Sequence, residues 1–175
     1  MLTNPLVKSL VSTSLAKYLT GGAFLGRNFI DLDSTASAHY LLAKPWVAAG
    51  DFEIEVSFAT PSDSINFPSI FSSSDISNDG MLLYINHTNG NLGFQLRVAS
   101  VSYEIGLGSL DYNTGTLHTA KIRCVGDVFY LSADGLAEVN MTRAGATKEI
   151  GVLGKNGTGT SFFDGIISQV GLTDL

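Results

Sequence analysis

Apolar and polar residues alternate along most of this chain. From residue 52 the sequence reads FEIEVSFA, so Phe52, Ile54, Val56 and Phe58 point one way and Glu53, Glu55 and Ser57 the other. That two-residue period is the mark of a half-buried strand. Leu92, Phe94, Leu96 and Val98 repeat it, as do Ala120, Ile122 and Cys124 against Lys121 and Arg123, and Phe129, Leu131 and Ala133 against Tyr130 and Ser132. Gly-Asp and Asp-Gly pairs punctuate the last of these runs, as turns between strands do. Further strands are predicted in FLGRNFIDLD, ending near Asp31 to Asp33, and in SAHYLLAKPW, closed by Pro45. MLLYINHTNGNLGFQLRV makes two strands around a loop at His87 to Asn91, and VSYEIGLGSL another before the turn at Asp111 to Asn113. Pro61 to Ser74 reads as a loop entering a strand, and Asn140 to Ser161 as a segment covering one edge.

Only residues 4–19 break the period. Asn4 is a favoured N-cap and Pro5 suits the first helical position. At about 100° per residue, Leu6, Val7, Leu10, Val11, Leu15 and Tyr18 gather on one side, with Lys8, Ser9, Ser12, Thr13 and Ala16 on the other. Gly21-Gly22 ends the helix. An isolated helix this short is marginal in water, so its apolar side must dock, either on its own domain or on another protein. Two segments are therefore expected: a helical anchor over residues 1–21 and a β-domain over 22–175.

The order of the pieces resembles the concanavalin A-like lectin and glucanase superfamily, and within it the laminin G-like and pentraxin-like modules. The resemblance rests on Leu117-His118, on the hairpin from Tyr130 to Asp134-Gly135, and on a final strand with Phe163, Gly165, Ile167, Val170 and Leu172. The strand DFEIEVSFAT and the following SIFSSSD fit the same pattern. The resemblance implies an all-β fold, a two-sheet antiparallel jelly-roll sandwich, here with a short N-terminal amphipathic helix.

At 175 residues the chain is large enough to bury a two-sheet core without staples. Its 19 Gly, 10 Phe and 6 Tyr suit a sandwich rich in turns. The net charge of −6 argues against a nucleic-acid partner or an anionic membrane surface. The one cysteine, Cys124, is in phase with the apolar side of its strand and reads as core. No run approaches the roughly 18 apolar residues that span a bilayer, and Lys8, Ser9, Ser12 and Lys17 interrupt any secretory-signal core.

Glucanases of the superfamily set several carboxylates on one strand. The nearest match, Glu53-Ile54-Glu55, lacks the central Asp and the third acid, so no enzyme is expected. The three histidines are scattered, and no nucleophile elbow, zinc helix or phosphate loop is present. The resemblance implies a calcium ion at the sandwich rim as the one candidate cofactor. Hard oxygen ligands for it cluster at Asp75, Asn78 and Asp79, and again at Asp111 and Asn113, with Asp75 and Asp79 the named candidates. Sugar binding needs aromatic rings beside amides and carboxylates. Tyr103, Tyr112 and Asn113 on one side, and Asn78, Asp79 and His87 on another, are the candidates. The sequons at Asn86, Asn140 and Asn156 read as chance matches.

The opening MLTNPLVKSLVSTSLAKYLTGG also resembles the N-termini of small structural proteins of tailed phages. An outward-facing lectin-like sandwich, no export signal and an amphipathic anchor fit one expectation together. The chain is then a non-enzymatic virion protein, a decoration or fibre component assembled in the host cytoplasm. Its partners would be a capsid or tail protein, further copies of itself as a homo-oligomer, and surface glycans. The alternative is a free carbohydrate-binding module of a bacterial surface or secreted protein.

Overall fold

A computed structural model of the chain describes residues 23–24, 30–32, 39–60, 68–86, 88–157 and 161–175. The predicted helix over 4–19, with the anchoring residues Leu6, Val7, Leu10, Val11, Leu15 and Tyr18, lies outside the described residues, as does His87. Thirteen strands run through the described part: β1 (Ala23–Phe24), β2 (Ile30–Leu32), β3 (Tyr40–Val47), β4 (Phe52–Ala59), β5 (Ser69–Ser72), β6 (Gly80–Ile85), β7 (Leu92–Val98), β8 (Val101–Leu107), β9 (His118–Val125), β10 (Val128–Ala133), β11 (Val139–Thr142), β12 (Glu149–Leu153) and β13 (Gly165–Asp174). No helix of the described residues is long and apolar enough to cross a membrane.

The strands form a seven-stranded sheet in the order β1-β2-β13-β4-β9-β10-β11 and a six-stranded sheet in the order β3-β12-β5-β6-β7-β8. Every pairing between neighbours is antiparallel. The expected two-sheet antiparallel jelly-roll sandwich is therefore the fold. Alternation does the sorting: Phe52, Ile54, Val56, Phe58, Ile122, Phe129 and Leu131 face inward from one sheet, and Leu92, Phe94 and Leu96 from the other, all buried. Rings knit the layers together. Trp46 meets Phe52 edge-on at 5.4 Å, and Phe129 bridges Phe52 at 6.2 Å and Phe94 at 6.1 Å. Cys124 is a buried free thiol in this core, and burial pushes its pKa up despite the nearby Lys148.

In β13, Ile167 and Val170 both face inward although three positions apart, which strict alternation forbids. A register shift between Ile167 and Gln169 opposite β4 supplies the extra residue and resets the phase.

Three expectations are corrected. Where FLGRNFIDLD was expected as one strand, Ala23–Phe24 and Ile30–Leu32 are two short strands that pair, Ala23 opposite Asp31 and Phe24 opposite Ile30. Pro45 lies inside β3 rather than closing it; β3 is an edge strand, and its pairing with β12 shifts between Trp46 and Leu41, where a missing N–H is tolerated. Residues 149–153 do not cover an edge: β12 sits between β3 and β5, with Ile150, Val152 and Leu153 buried.

Candidate functional site

On β6, Met81, Leu83 and Ile85 enter the core, so Tyr84 points to the outer face of the six-stranded sheet. Directly across β7 and β8 lie Gly93 and Gly106. With no side chain at 93, the Tyr84 ring lies over that strand; a Cβ there would come within 2.5 Å of the ring carbon Cζ. The phenol thereby reaches β8 and donates to Glu104 Oε2 at 3.3 Å, while Gln95 Nε2 donates to Glu104 Oε1. Burial, then the Glu104 charge, pushes the Tyr84 phenol up to about 12.

The β6–β7 loop closes the same corner. Asn86 and Asn91 pair through their backbones, and Gly90, at φ +69°, turns the chain between them. Asn86 Oδ1 accepts the Thr88 N–H at 3.0 Å and Asn89 Oδ1 accepts the Asn91 N–H at 3.1 Å. With these oxygens committed to the loop, the amide NH2 groups are the donors left for a ligand. Tyr84, Asn86, Asn89, Asn91, Gly93, Glu104 and Gly106 together line an open pocket of about 180 Å³. It combines an aromatic ring, amide donors and a carboxylate acceptor, the set that recognises a polyol ring.

The residues expected to bind ligand lie elsewhere. Tyr112 is 0% exposed, packed on His118 at 4.9 Å and Phe58 at 6.3 Å, and offers no ring face to a sugar. Tyr103 faces the sandwich edge with the Arg143 guanidinium 3.7 Å over its ring. Asn113 Oδ1 accepts the Thr60 hydroxyl at 3.3 Å. Asn78 and Asp79 brace a hairpin: Asn78 takes the Ser100 N–H and hydroxyl at 2.8 and 2.7 Å, and Asp79 takes the Ala99 N–H at 2.9 Å. The loop expected at His87 to Asn91 borders this pocket, and Asn86, Asn89 and Asn91 are the loop residues that line it. Tyr84 was signalled by its outward phase, and Gly93 by being a glycine inside a strand.

Asp75 and Asp79, the residues expected to hold calcium, each accept a backbone N–H. Asp75 Oδ1 accepts the Ser77 N–H at 2.7 Å, a bond that holds its carboxyl below the usual range, and Asp79 is committed as above. Among the described residues no three His, Cys, Asp or Glu side chains are grouped to hold a metal.

The outer face of the seven-stranded sheet is different in kind. Glu53 and Glu55 flank Lys121 at 3.1 and 3.7 Å, and Arg123 pairs with Glu138 at 2.8 Å while covering the Tyr130 ring. The two glutamates are thus spent on a cation rather than set against each other for hydrolysis. A hollow of about 300 Å³ opens beside them, lined by Thr119, Lys121, Ser132, Ala133, Asp134 and Gly135, without an aromatic ring.

No protein-family model and no curated protein matches the chain. Among solved structures it is similar to the CBM40 of the Ruminococcus gnavus IT-sialidase bound to α2,3-sialyllactose, with TM-score 0.57, 19% identity, and 71% of this chain and 76% of that one covered. It is similar to the carbohydrate-binding module CBM66 from Bacillus subtilis, with TM-score 0.59, 12% identity, and coverage of 89% and 94%. It is also similar to the enzymatically active domain of bacteriophage CBA120 tailspike protein 2, with TM-score 0.61, 12% identity, and coverage of 83% of this chain but 25% of that one. At these identities the likeness speaks for architecture alone, the two-sheet jelly-roll β-sandwich.

Proposed function

We propose that this protein is a non-catalytic carbohydrate-binding module whose ligand sits in the pocket of Tyr84, Glu104 and the β6–β7 loop. The observation that carries the reading is the convergence there of a half-buried ring, three asparagine amides and a fixed carboxylate. Ring C–H faces pack on aromatics while amides and carboxylates hold hydroxyls, so this set has the chemistry of sugar recognition. The resemblance to CBM40 and CBM66, both named as carbohydrate-binding modules, supports it.

Binding of the full chain to a glycan array tests it, with Tyr84→Ala as the decisive variant. Loss of the ring should weaken the best glycan by about three- to ten-fold, the value of one aromatic contact. An array with no positive glycan, or binding indifferent to Tyr84, would count against the reading.

A second reading sets the same module on a phage particle as a decoration or fibre protein. The tailspike likeness and the amphipathic stretch over residues 4–19 support it. It concerns where the module is carried, and it leaves the pocket chemistry unchanged.

A further inference from the structure

The charges around the pocket discriminate between classes of sugar. Among the described residues the lysine and arginine ion pairs join Lys121 to Glu53 and Glu55, and Arg123 to Glu138. Glu104 is held by neutral donors instead, the Tyr84 phenol on one oxygen and the Gln95 amide on the other. Among the described residues no lysine or arginine lines the pocket. Each oxygen of Glu104 keeps a further lone pair for a ligand, and neither donor that holds it is a cation. A carboxylated sugar would bring like charge against it with no cation among the described lining residues to compensate, whereas hydroxyl or ammonium donors would find an acceptor already oriented.

We infer that the pocket selects amino and neutral sugars and rejects acidic ones, with Glu104 as the residue that sets this preference. The inference rests on the carbohydrate-binding reading above. It separates this chain from the sialyllactose-bound CBM40 that shares its fold, since sialic acid carries a carboxylate.

The test uses ring-matched methyl glycosides: glucosamine, glucose and glucuronic acid, and the same three in the galacto series. Each is titrated into the full chain while the amide resonances of Gly93, Gly106 and the Asn86, Asn89 and Asn91 side chains are followed. In whichever series binds, affinity should fall from amine to neutral to uronic sugar. An exposed charge pair contributes a few tenths to 1 kcal/mol, so each step should be about two- to five-fold. Glu104→Gln preserves shape and removes the charge; it should bring the three sugars within about two-fold of one another. Raised salt should compress the series in the unmodified protein in the same direction.

A uronic sugar that binds as well as its amine counterpart would overturn the inference, as would an order that Glu104→Gln leaves intact. Sugars that bind without moving the pocket resonances would overturn it too, while leaving a carbohydrate-binding protein. If neither series binds and the glycan array is also blank, the functional reading itself fails and the inference falls with it.

Discussion

His118 uses both ring nitrogens. Nδ1 meets Asp134 Oδ2 at 2.6 Å, and Nε2 meets the hydroxyls of Thr114 and Thr116 at 3.0 and 3.1 Å. The other Asp134 oxygen accepts the Thr119 N–H at 2.8 Å, and the ring packs on Tyr112 and Phe58. In the neutral ring Nδ1–H donates to the carboxylate and Nε2 accepts from a hydroxyl, so both ring nitrogens are satisfied at a buried position. The Leu117-His118 and Asp134-Gly135 pieces of the family resemblance therefore meet in space, fastening the β8–β9 loop to the end of the β10 strand. His118→Ala leaves Asp134 and two hydroxyls without their partner and opens a void under Tyr112. It should lower unfolding free energy by about 2–4 kcal/mol in urea titration, more than the same change at half-buried Lys121 on the outer face. Equal losses at the two positions would show that the cluster contributes nothing specific.

The β7–β8 hairpin shows how an element can form against its local preferences. Ala99 and Ser100 join Val98 to Val101 in a two-residue turn, both at positive φ, 49° and 66°. That is the conformation which favours Asn-Gly, and Ala and Ser are poor choices for it. Asn78 and Asp79 hold it from outside by bonds to the Ser100 and Ala99 backbone. Two residues expected to bind ligand are thus the brace of a turn whose own sequence does not specify it. Installing the favoured pair, Ala99→Asn with Ser100→Gly, should raise stability by about 0.5–1 kcal/mol in thermal melting. The same pair should also reduce the cost of Asp79→Ala, because the turn would then need less support. A double change that destabilises the protein would refute this account of the hairpin.

For the molecule as a whole, the described strands form the sandwich, and deletion decides what the amphipathic stretch over 4–19 does. Burying six apolar side chains at about 1.5–3 kcal/mol each is enough to hold a domain on a partner once the ordering cost is met. If residues 1–21 are an anchor, deleting them should leave a folded sandwich with nearly unchanged melting and abolish self-association or attachment to a particle. If they belong to the core, the shortened protein should lose several kcal/mol and aggregate. Light scattering and melting of the two proteins distinguish the cases; a shortened form that is less stable yet still assembled would defeat the anchor.

Strand positions and their inward faces could be read directly, because alternation is a local property: each side chain's face follows from its neighbour's. The inward residues of β4, β7, β9 and β10 followed from that rule alone. The breaks in the rule did not. The bulge in β13, the passage of Pro45 through an edge strand and the insertion of β12 between β3 and β5 depend on partners far away in sequence. The pocket was half legible for the same reason. An asparagine-rich loop and an outward tyrosine are visible in the chain, whereas Glu104 joins them only because β8 pairs with β7 in one register. Tyr112, which looked like a loop aromatic, is buried because the β8–β9 loop folds back over Phe58 and His118. Periodicity sorts residues into faces; which faces and loops come to share a pocket is set by long-range pairing, and that energy is not written in any local stretch.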